Sequence, residues 1–577
     1  ANTDKGSWKN QVCVVADDEN YAIHMQQAEE ICSIFENSDA HCFINKIYTD
    51  AYTAEITSTG RTYPSAKKKL FQVLDDGVLV VDYIGHGSTV AWTHEDLLNI
   101  TDIQSMYLKR LPLFITATCD FGRYDHEDTS GGEILCLNPS GGGIALITTT
   151  RVVYISDNHY LNKGVANQIF TRNENHEYPR LGDILREAKC SIQQTDSNKL
   201  NYTLLGDPAL RLLYPDYQIK VTEINGYDIT QTTPTIQARD SVFIKGEIYT
   251  PQGQKATDYN GIICPTVYDS EVSVVTHGYG EEGKAFEFSE RSNRLYVGKD
   301  SIVGGEFEIA FKVPREINFA DDKGLINLYS YNDAGQEGSG NESNFVVGGF
   351  NDDSNEDFDG PEIYYAFLNS QDFQNGDVVN ESPLLVAEVY DPSGINISDA
   401  GIGHQMTVTL DNHTIYTDVA SYFDPAIGDF GRGYINYPLS HLSEGNHTLR
   451  LKVWDTENNS SEIEIAFTVQ AGLKPVIYDL YADQNPASTS TNFYLRHNRP
   501  DALINVTISV YNLMGVEVWR YTGKGLSDMY RSYPVNWDLT DSSGRRVPGG
   551  IYLYKAVIST DNEHETTRSK KLCVTGQ

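Results

Sequence analysis

The sequence predicts a multidomain chain in which an α/β domain built on a parallel sheet is followed by all-β sandwich domains of immunoglobulin-like type. Three observations predict it. Strand and helix patterns alternate over about residues 1–216, and the strands are near-continuous apolar runs, as strands buried on both faces of a parallel sheet are. After Tyr214-Pro215, short alternating strands succeed one another between Gly, Asp, Asn and Pro turns, with few helices. The length of 577 residues, 40% hydrophobic and 11% aromatic, suits roughly three to five folded domains and not a disordered chain.

In chain order, residues 11–16 (QVCVVA) are a short apolar strand that ends at Asp17-Asp18. Residues 21–35 form a helix by apolar spacing, with Met25, Ala28, Cys32 and Phe35 on one face and Ile31 beside them. Residues 42–47 are a strand, and 64–74 open with Pro and repeat Lys and Leu like a helix. Residues 78–84 (VLVVDYI), 113–118 (LFITAT) and 144–150 (IALITTT) read as buried strands, the last preceded by the Gly-rich 140–143. Helices recur at about 157–170 and 181–192. The α/β domain is thus placed at 1–216 and a first β-sandwich at about 217–350. An acidic, Gly-bearing connector, 348–360 (GGFNDDSNEDFDG), leads into a second sandwich at about 351–470, which ends in the alternation 445–454 (GNHTLRLKVW). A terminal β-domain at about 471–577 carries 506–511 (VTISVY), a turn at Met514-Gly515, Trp537-Asp538 and 549–554 (GGIYLY).

Charge excludes some functions. With 44 basic and 80 acidic residues the net charge is −36, a field that repels phosphate backbones and anionic membrane faces. No run of about 18 apolar residues is present to span a bilayer as a helix. The opening Ala1-Asn2-Thr3-Asp4-Lys5-Gly6 has neither an initiator Met nor a signal peptide and reads as the middle of a longer, processed polypeptide. The eight cysteines form no C-x-x-C pair, which argues against structural zinc, and are too sparse for a disulfide scaffold; Cys32 and Cys42 could bridge, but free buried thiols are the commoner state. The 37 tyrosines and the many Asn, Thr and Ser residues suit an extracellular β-rich protein, in which Asn201, Asn412 and Asn446 would head glycosylation sequons.

In an open parallel sheet, ligands bind beyond the carboxyl ends of the strands. There the first strand delivers Asp17 and Asp18, the strand at 78–84 delivers Gly85-His86-Gly87-Ser88, that at 113–118 delivers Cys119-Asp120-Phe121, and that at 144–150 delivers Arg151. A thiol and an imidazole on one rim have a clear use: the thiolate is the nucleophile, and the imidazole takes its proton and later protonates the leaving amine. The amides of Gly87 and Cys119 are candidate oxyanion donors, with Gly85 and Gly87 allowing close backbone approach. Asp17, Asp18, Asp120, Arg151 and Trp92 are candidates to orient His86 or touch substrate. Glu29, Glu30 or a residue outside this chain also remain open as the residue that orients His86. Cys13, Cys136 and Cys190 read as core, His94 and His126 as surface loop residues, and Glu133 as an early-helix carboxylate favoured by the macrodipole. A lone Cys after a strand is usually just a buried hydrophobe, and a Gly-His-Gly turn usually just a turn.

Residues 83–88 (YIGHGS), Ala91-Trp92, Thr118-Cys119-Asp120, Gly132-Glu133 before Asn138-Pro139, 142–145 (GGIA), Thr150-Arg151 and 205–210 (LGDPAL) together resemble the gingipain family of cysteine peptidases, and the separation of His86 from Cys119 fits the same family. The resemblance covers about the first 216 residues, which look like the second part of a catalytic domain with a caspase/gingipain-like sheet. In the tail, 359–363 (DGPEI), 393–396 (SGIN), 401–404 (GIGH) and 445–449 (GNHTL) resemble the sortase, or C-terminal signal peptidase, branch of the Bacteroidetes type IX secretion system. Asn485-Pro486, residues 506–515, Trp537-Asp538 and 549–554 resemble the terminal β-domain of secreted cargo and of such sortases.

The resemblance implies a cell-surface cysteine endopeptidase and transpeptidase that removes the C-terminal signal domain of cargo and transfers the acyl group, through a Cys119 thioester, to anionic lipopolysaccharide. It implies a place on the extracellular face of the outer membrane. The chain would be tethered there through an outer-membrane β-barrel shuttle protein and other attachment-complex proteins. No cofactor is required by that chemistry. The resemblance also implies structural calcium, with the carboxylates at 352–359 and 125–128 as candidates, although a solvated acidic linker is the plainer reading of 352–359. A secreted protease acting by hydrolysis alone and an inactive surface scaffold or adhesin are the competing readings.

Overall fold

A computed structural model describes residues 5–575 except 59, 140, 193–197, 281–282, 354–355, 399–400, 402, 501, 528–529, 561–562 and 567–568. The chain divides into two compact units. One is Ala1–Glu356 with Ile397–Ile402 and Ala426–Phe430; the other is Asp357–Asn396 with Gly403–Pro425 and Gly431–Gln577.

The first unit opens with five parallel strands: β1 (Gln11–Ala16), β2 (Phe43–Tyr48), β3 (Val80–Ile84), β4 (Leu113–Ala117) and β5 (Ala145–Thr149). A sixth, β6 (Tyr202–Leu205), closes one edge antiparallel to β5. The order β6-β5-β4-β3-β1-β2 reverses direction between β1 and β3, the position at which open sheets leave a crevice for ligands. Successive strand residues point to opposite faces, so each face needs its own cover. Val12, Val14 and Ala16 of β1 pack under α1 (Ile23–Glu36), α4 (Ile155–Ile169) and α5 (Leu181–Ser191). Cys13 and Val15 pack under α2 (Pro64–Asp76) and α3 (Gly131–Leu137). Leu161, Val165 and Ile169 of α4 are fully buried. Such side chains each contribute about 1.5–3 kcal/mol relative to leaving them exposed.

Residues 217–350 add a nine-stranded and a three-stranded sheet with a shared core that includes Ile236, Ile244, Ile309 and Val347. This module sits against the β1–β2 edge of the α/β sheet. Lys9, fully buried, pairs with Glu337 at 2.7 Å, and Phe43 stacks on Tyr268 at 4.2 Å. The Asp50 carboxylate accepts hydrogen bonds from Gly278 N (2.6 Å) and Tyr279 N (2.7 Å), which brings the loop of the Val272–Val275/Glu287–Glu290 hairpin onto the sheet's rim.

In the second unit, residues 362–469 form a four-stranded and a five-stranded sheet, and Gly445–Trp454 pairs with Ser460–Val469 with alternate residues buried. Residues 477–574 form a three-stranded and a five-stranded sheet around a core that includes Phe493, Val506, Trp537 and Tyr554.

Three expectations are corrected. The sheet is not wholly parallel, because 202–205, a short half-buried segment after α5, forms an antiparallel edge strand. As expected of buried cysteines, Cys32 and Cys42 are free thiols, and the Cys32 Sγ faces Tyr48 Oη at 3.7 Å. Cys13 is core as expected, but Cys136 is only half-buried at the edge of the core and Cys190 is exposed. The connector begins later than expected, since Val346–Phe350 is a strand paired with Thr235–Ala238; Ser354 and Asn355 lie outside the described residues.

Candidate active site

The register of β1, β3 and β4 brings the expected residues to one row. Ala16 lies opposite Ile84, and Ile84 opposite Ala117, so Asp17, Gly85 and Thr118 leave the sheet side by side. Gly85 N donates to Ala117 O at 3.4 Å across this row. His86 and Cys119 therefore follow the adjacent ends of β3 and β4, one residue beyond the row in each case, with His86 beside the β1/β3 switch point.

The Gly85–Ser88 turn is pinned from below and behind. Ser88 N bonds Ala91 O and Thr93 N bonds His86 O, both at 3.0 Å, forming an antiparallel bridge between Gly87 and Trp92. These bonds flank Gly87 and leave its amide out of the bridge. A Cβ on Gly85 would meet Asp17 Cβ at 2.4 Å, and one on Gly87 would meet Thr118 Oγ1 at 2.4 Å, so both positions require glycine. Tyr83 stacks on Trp92 at 4.4 Å and donates its hydroxyl to His86 O. Trp92 is fully buried. It is a floor for the turn, which corrects the expectation that it orients the imidazole or touches substrate.

The imidazole is held by residues the sequence reading passed over. His86 Nε2 lies 2.5 Å from Asn20 Oδ1 and 3.5 Å from Glu19 Oε2. His94 stacks on the ring at 5.4 Å and binds the other Glu19 oxygen at 3.0 Å. Exposed as expected, it nevertheless belongs to the site. His24 meets His86 edge-on at 5.3 Å, and burial together with the His86 charge depresses its pKa to about 3, so it stays neutral.

The expected carboxylates act elsewhere. Asp17 accepts from His86 N (2.8 Å) and Glu19 N (3.2 Å), so it fixes the backbone of the turn and not the ring. Burial pushes its carboxyl well above the ordinary range, opposed by the His86 N–H bond and reinforced by Asp18, Glu95 and Glu19. Asp18 accepts the Tyr63 hydroxyl at 2.6 Å. Glu29 is taken by Lys46 and Tyr48, and Glu30 by His159 and Lys163. Glu133 closes a capping box with Ser130 at the start of α3.

Cys119 Sγ rests on the Val153 main chain, accepting from Val153 N at 3.5 Å and lying 3.7 Å from Val153 O. Burial raises the thiol pKa, Val153 N–H lowers it, and Asp120 raises it. Asp120, in a left-handed conformation (φ 56°), turns the chain away and lies 3.9 Å from Arg123. Arg151 forms a two-pronged pair with Asp125 at 3.0 and 2.6 Å, so its guanidinium is committed on the outer flank. Of the two candidate calcium segments, Asp125 is thus occupied by Arg151, and Asp357 gathers with buried Asp391 and Asp455.

The model of peptidase family C25 matches residues 1–213. No curated protein matches the chain. Among solved structures, the chain is similar to dimeric latent PorU from Porphyromonas gingivalis, with 22% identity and a TM-score of 0.32, over 98% of this chain and 64% of that one. It is similar to the Arg-specific cysteine proteinase gingipain R, with 16% identity and a TM-score of 0.31, over 59% of this chain and 68% of that one. It is also similar to the complex of Porphyromonas gingivalis RgpB pro- and mature domains, with 16% identity and a TM-score of 0.32, over 59% and 69%. The chain thus spans 64% of the length of the first of these structures. Residues 1–213, which build the six-stranded sheet and carry both His86 and Cys119, match peptidase family C25, a family of cysteine peptidases.

Proposed function

We propose that this chain is a cell-surface cysteine peptidase and sortase that removes the C-terminal signal domain of type IX secretion cargo. It then transfers the new C-terminus to an amine of anionic lipopolysaccharide. The observation that carries the reading is the placement of Cys119 and His86 beyond the neighbouring ends of β4 and β3, next to the sheet's switch point and within the segment that matches family C25. The tail motifs that resemble the sortase branch support the narrower reaction.

His86 takes the Cys119 proton, and Sγ attacks the scissile carbonyl carbon. An acceptor at Nε2 calls for an N–H there, so the neutral ring presents Nδ1 as the base. Gly87 and Cys119 amides receive the oxyanion. Collapse breaks the C–N bond, and the departing amine of the signal domain carries off the proton held by His86. A thioester remains. An amine of the lipopolysaccharide then attacks its carbonyl, the amide forms, and the proton released returns through His86 to the Cys119 sulfur. Asn20 and Glu19 hold the ring throughout, and Glu19 offsets the imidazolium charge.

The partners are the cargo signal domain, the lipopolysaccharide, a β-barrel shuttle protein of the outer membrane and other attachment-complex proteins. The place of action is the outer face of that membrane. Among the described residues no helix is long and apolar enough to cross a membrane, which is compatible with tethering through a partner. Mass measurement of the cargo C-terminus tests the reading. A sugar-bearing C-terminus is expected from the wild type, and uncleaved cargo from Cys119→Ala. A free carboxylate alone would reduce the reaction to hydrolysis, and normal maturation by Cys119→Ala would remove the enzymatic assignment.

A further inference from the structure

The segment that holds the His86 ring meets the adjoining β-module. Glu19 and Asn20 reach the imidazole from a stretch in which Asn20, Tyr21 and Ala22 are all left-handed, at φ 57°, 57° and 63°. Tyr and Ala rarely adopt that conformation, which persists where the surroundings enforce it. One restraint is local, since Glu19 N donates to Asp17 Oδ1 at 3.2 Å. Another comes from Gly280, in the loop between strands Val272–Val275 and Glu287–Glu290. A Cβ on Gly280 would stand 2.5 Å from Asp18 O, 3.4 Å from Asp18 C and 3.9 Å from Glu19 Cα. The Gly280 φ lies outside the left-handed region, so glycine serves close approach here and not backbone conformation. The loop is fastened on both flanks. Asp50, buried just beyond β2, accepts Gly278 N and Tyr279 N on its carboxylate at 2.6 and 2.7 Å and His277 N on its carbonyl at 2.9 Å. Phe288 packs on Tyr48 at 4.6 Å within the α/β core, and Lys46 Nζ donates to Ser289 O at 2.9 Å.

We propose that residues 277–280 of this loop are a positioning element for His86. Gly280 backs the Asp18–Glu19 peptide, and that backing keeps Glu19 and Asn20 against the imidazole. The β-module is then part of the machinery that orients the base and not only a cover for the β2 edge. Gly280 and Asp50 are positioning residues, since neither touches the reacting atoms. The contact at Gly280 is main chain against main chain, so the Cβ of any other residue there would push the Asp18–Glu19 peptide. A displacement on the order of 1 Å at a catalytic group costs up to about 10²-fold in rate. The inference rests on His86 being the base of the proposed reaction, and its test therefore reads His86 itself as well as turnover.

The experiment compares the whole wild-type chain with Gly280→Ala and Asp50→Ala. Deuterium exchange at the imidazole C2 position, followed by mass spectrometry, gives the His86 titration midpoint with no substrate present. The titratable groups that face His86 are Asp17, Glu19, His24 and His94. Loosening Glu19 removes negative charge from beside the imidazolium, so both variants are expected to titrate His86 at a lower pH than the wild type. On cargo, kcat is expected to fall roughly 10–100-fold with KM little changed. Val275→Ala, in the same hairpin but 62% exposed, is expected to match the wild type in both readouts. Circular dichroism confirms folding; should Gly280→Ala not fold, Asp50→Ala carries the test. A wild-type His86 midpoint in a folded variant would overturn the proposal, whatever the melting temperature, because a purely structural role moves only the latter. A lowered midpoint, in a chain that fails to cleave cargo even as wild type, would sink the proposed reaction and leave the positioning role standing.

Discussion

The imidazole of His86 is held through Nε2 by the side-chain carbonyl of Asn20 at 2.5 Å. Glu19, one residue earlier, stands 3.5 Å from the same nitrogen. The two together select the ring's tautomer and supply a negative charge against the imidazolium that forms when Cys119 gives up its proton. Asn20→Ala is expected to lower kcat on a cargo substrate by roughly 10–100-fold with KM little changed, and Glu19→Gln by roughly 10²-fold or more. Steady-state kinetics of both variants checks this; full activity in both would remove them from the site.

The surroundings of Cys119 favour the thiol over the thiolate: burial raises its pKa above the ordinary 9.0, and the Asp120 charge pushes the same way. The rate of alkylation of Cys119 by iodoacetamide in the resting protein should climb with pH and reach its midpoint above that of an unperturbed cysteine. Asp120→Asn should move the midpoint down. A midpoint near neutrality would instead indicate a standing thiolate–imidazolium pair.

Gly87 is constrained by one neighbour above all, since an added Cβ would stand 2.4 Å from Thr118 Oγ1. Gly87→Ala should displace the turn and abolish most activity while leaving the sheet intact. Thr118 Oγ1 is itself buried without a partner, so Thr118→Ala forfeits no hydrogen bond. The double variant Gly87→Ala/Thr118→Ala should recover a measurable part of the lost kcat. No recovery would place the constraint at Ala91 O, 3.2 Å away.

How much of this was legible in the sequence follows from what a strand end reveals. The five parallel strands show as apolar runs because both faces are buried, and the residues that follow each run, Asp17, His86 and Cys119, are visible at once. Glu19 and Asn20 are not, because their position depends on how the chain turns after β1. Asn20, Tyr21 and Ala22 are consecutive left-handed residues, with φ of 57°, 57° and 63°, and they fold the segment back over His86. Asn tolerates that conformation, but Tyr and Ala give no hint of it. Trp92 was misread for a similar reason: an exposed turn and a buried floor look alike in sequence, and only the bridge to Gly87 tells them apart. The edge strand Tyr202–Leu205 is four residues long and half-buried, too short for a periodic signal.

Asp82 offers a pH test of the sheet that leaves the catalytic residues untouched. It is fully buried in β3 and accepts from Asn162 Nδ2 at 2.9 Å, while its Oδ2 has no donor. Burial raises its pKa from 3.8 to about 7. The folded protein therefore keeps a proton between pH 3.8 and about 7 that the unfolded chain gives up. The resulting stability contribution is fully present below the lower value and is lost as pH rises through the upper one. Asp82→Asn should match the wild type near pH 4 and exceed it at pH 8, by on the order of a few kcal/mol in denaturant unfolding. An Asn variant less stable at pH 8 than at pH 4, relative to wild type, would contradict the assignment.

The covalent intermediate is the most direct observable. Mixing the protein with cargo bearing its signal domain, quenching in acid and measuring the intact mass should reveal an adduct equal to the cargo acyl group. Peptide mapping should place it on Cys119, and Cys119→Ala should show neither adduct nor cleavage. Cleaved cargo with no adduct on Cys119, or cleavage by Cys119→Ala, would contradict the assignment of Cys119 and His86 as the reacting pair.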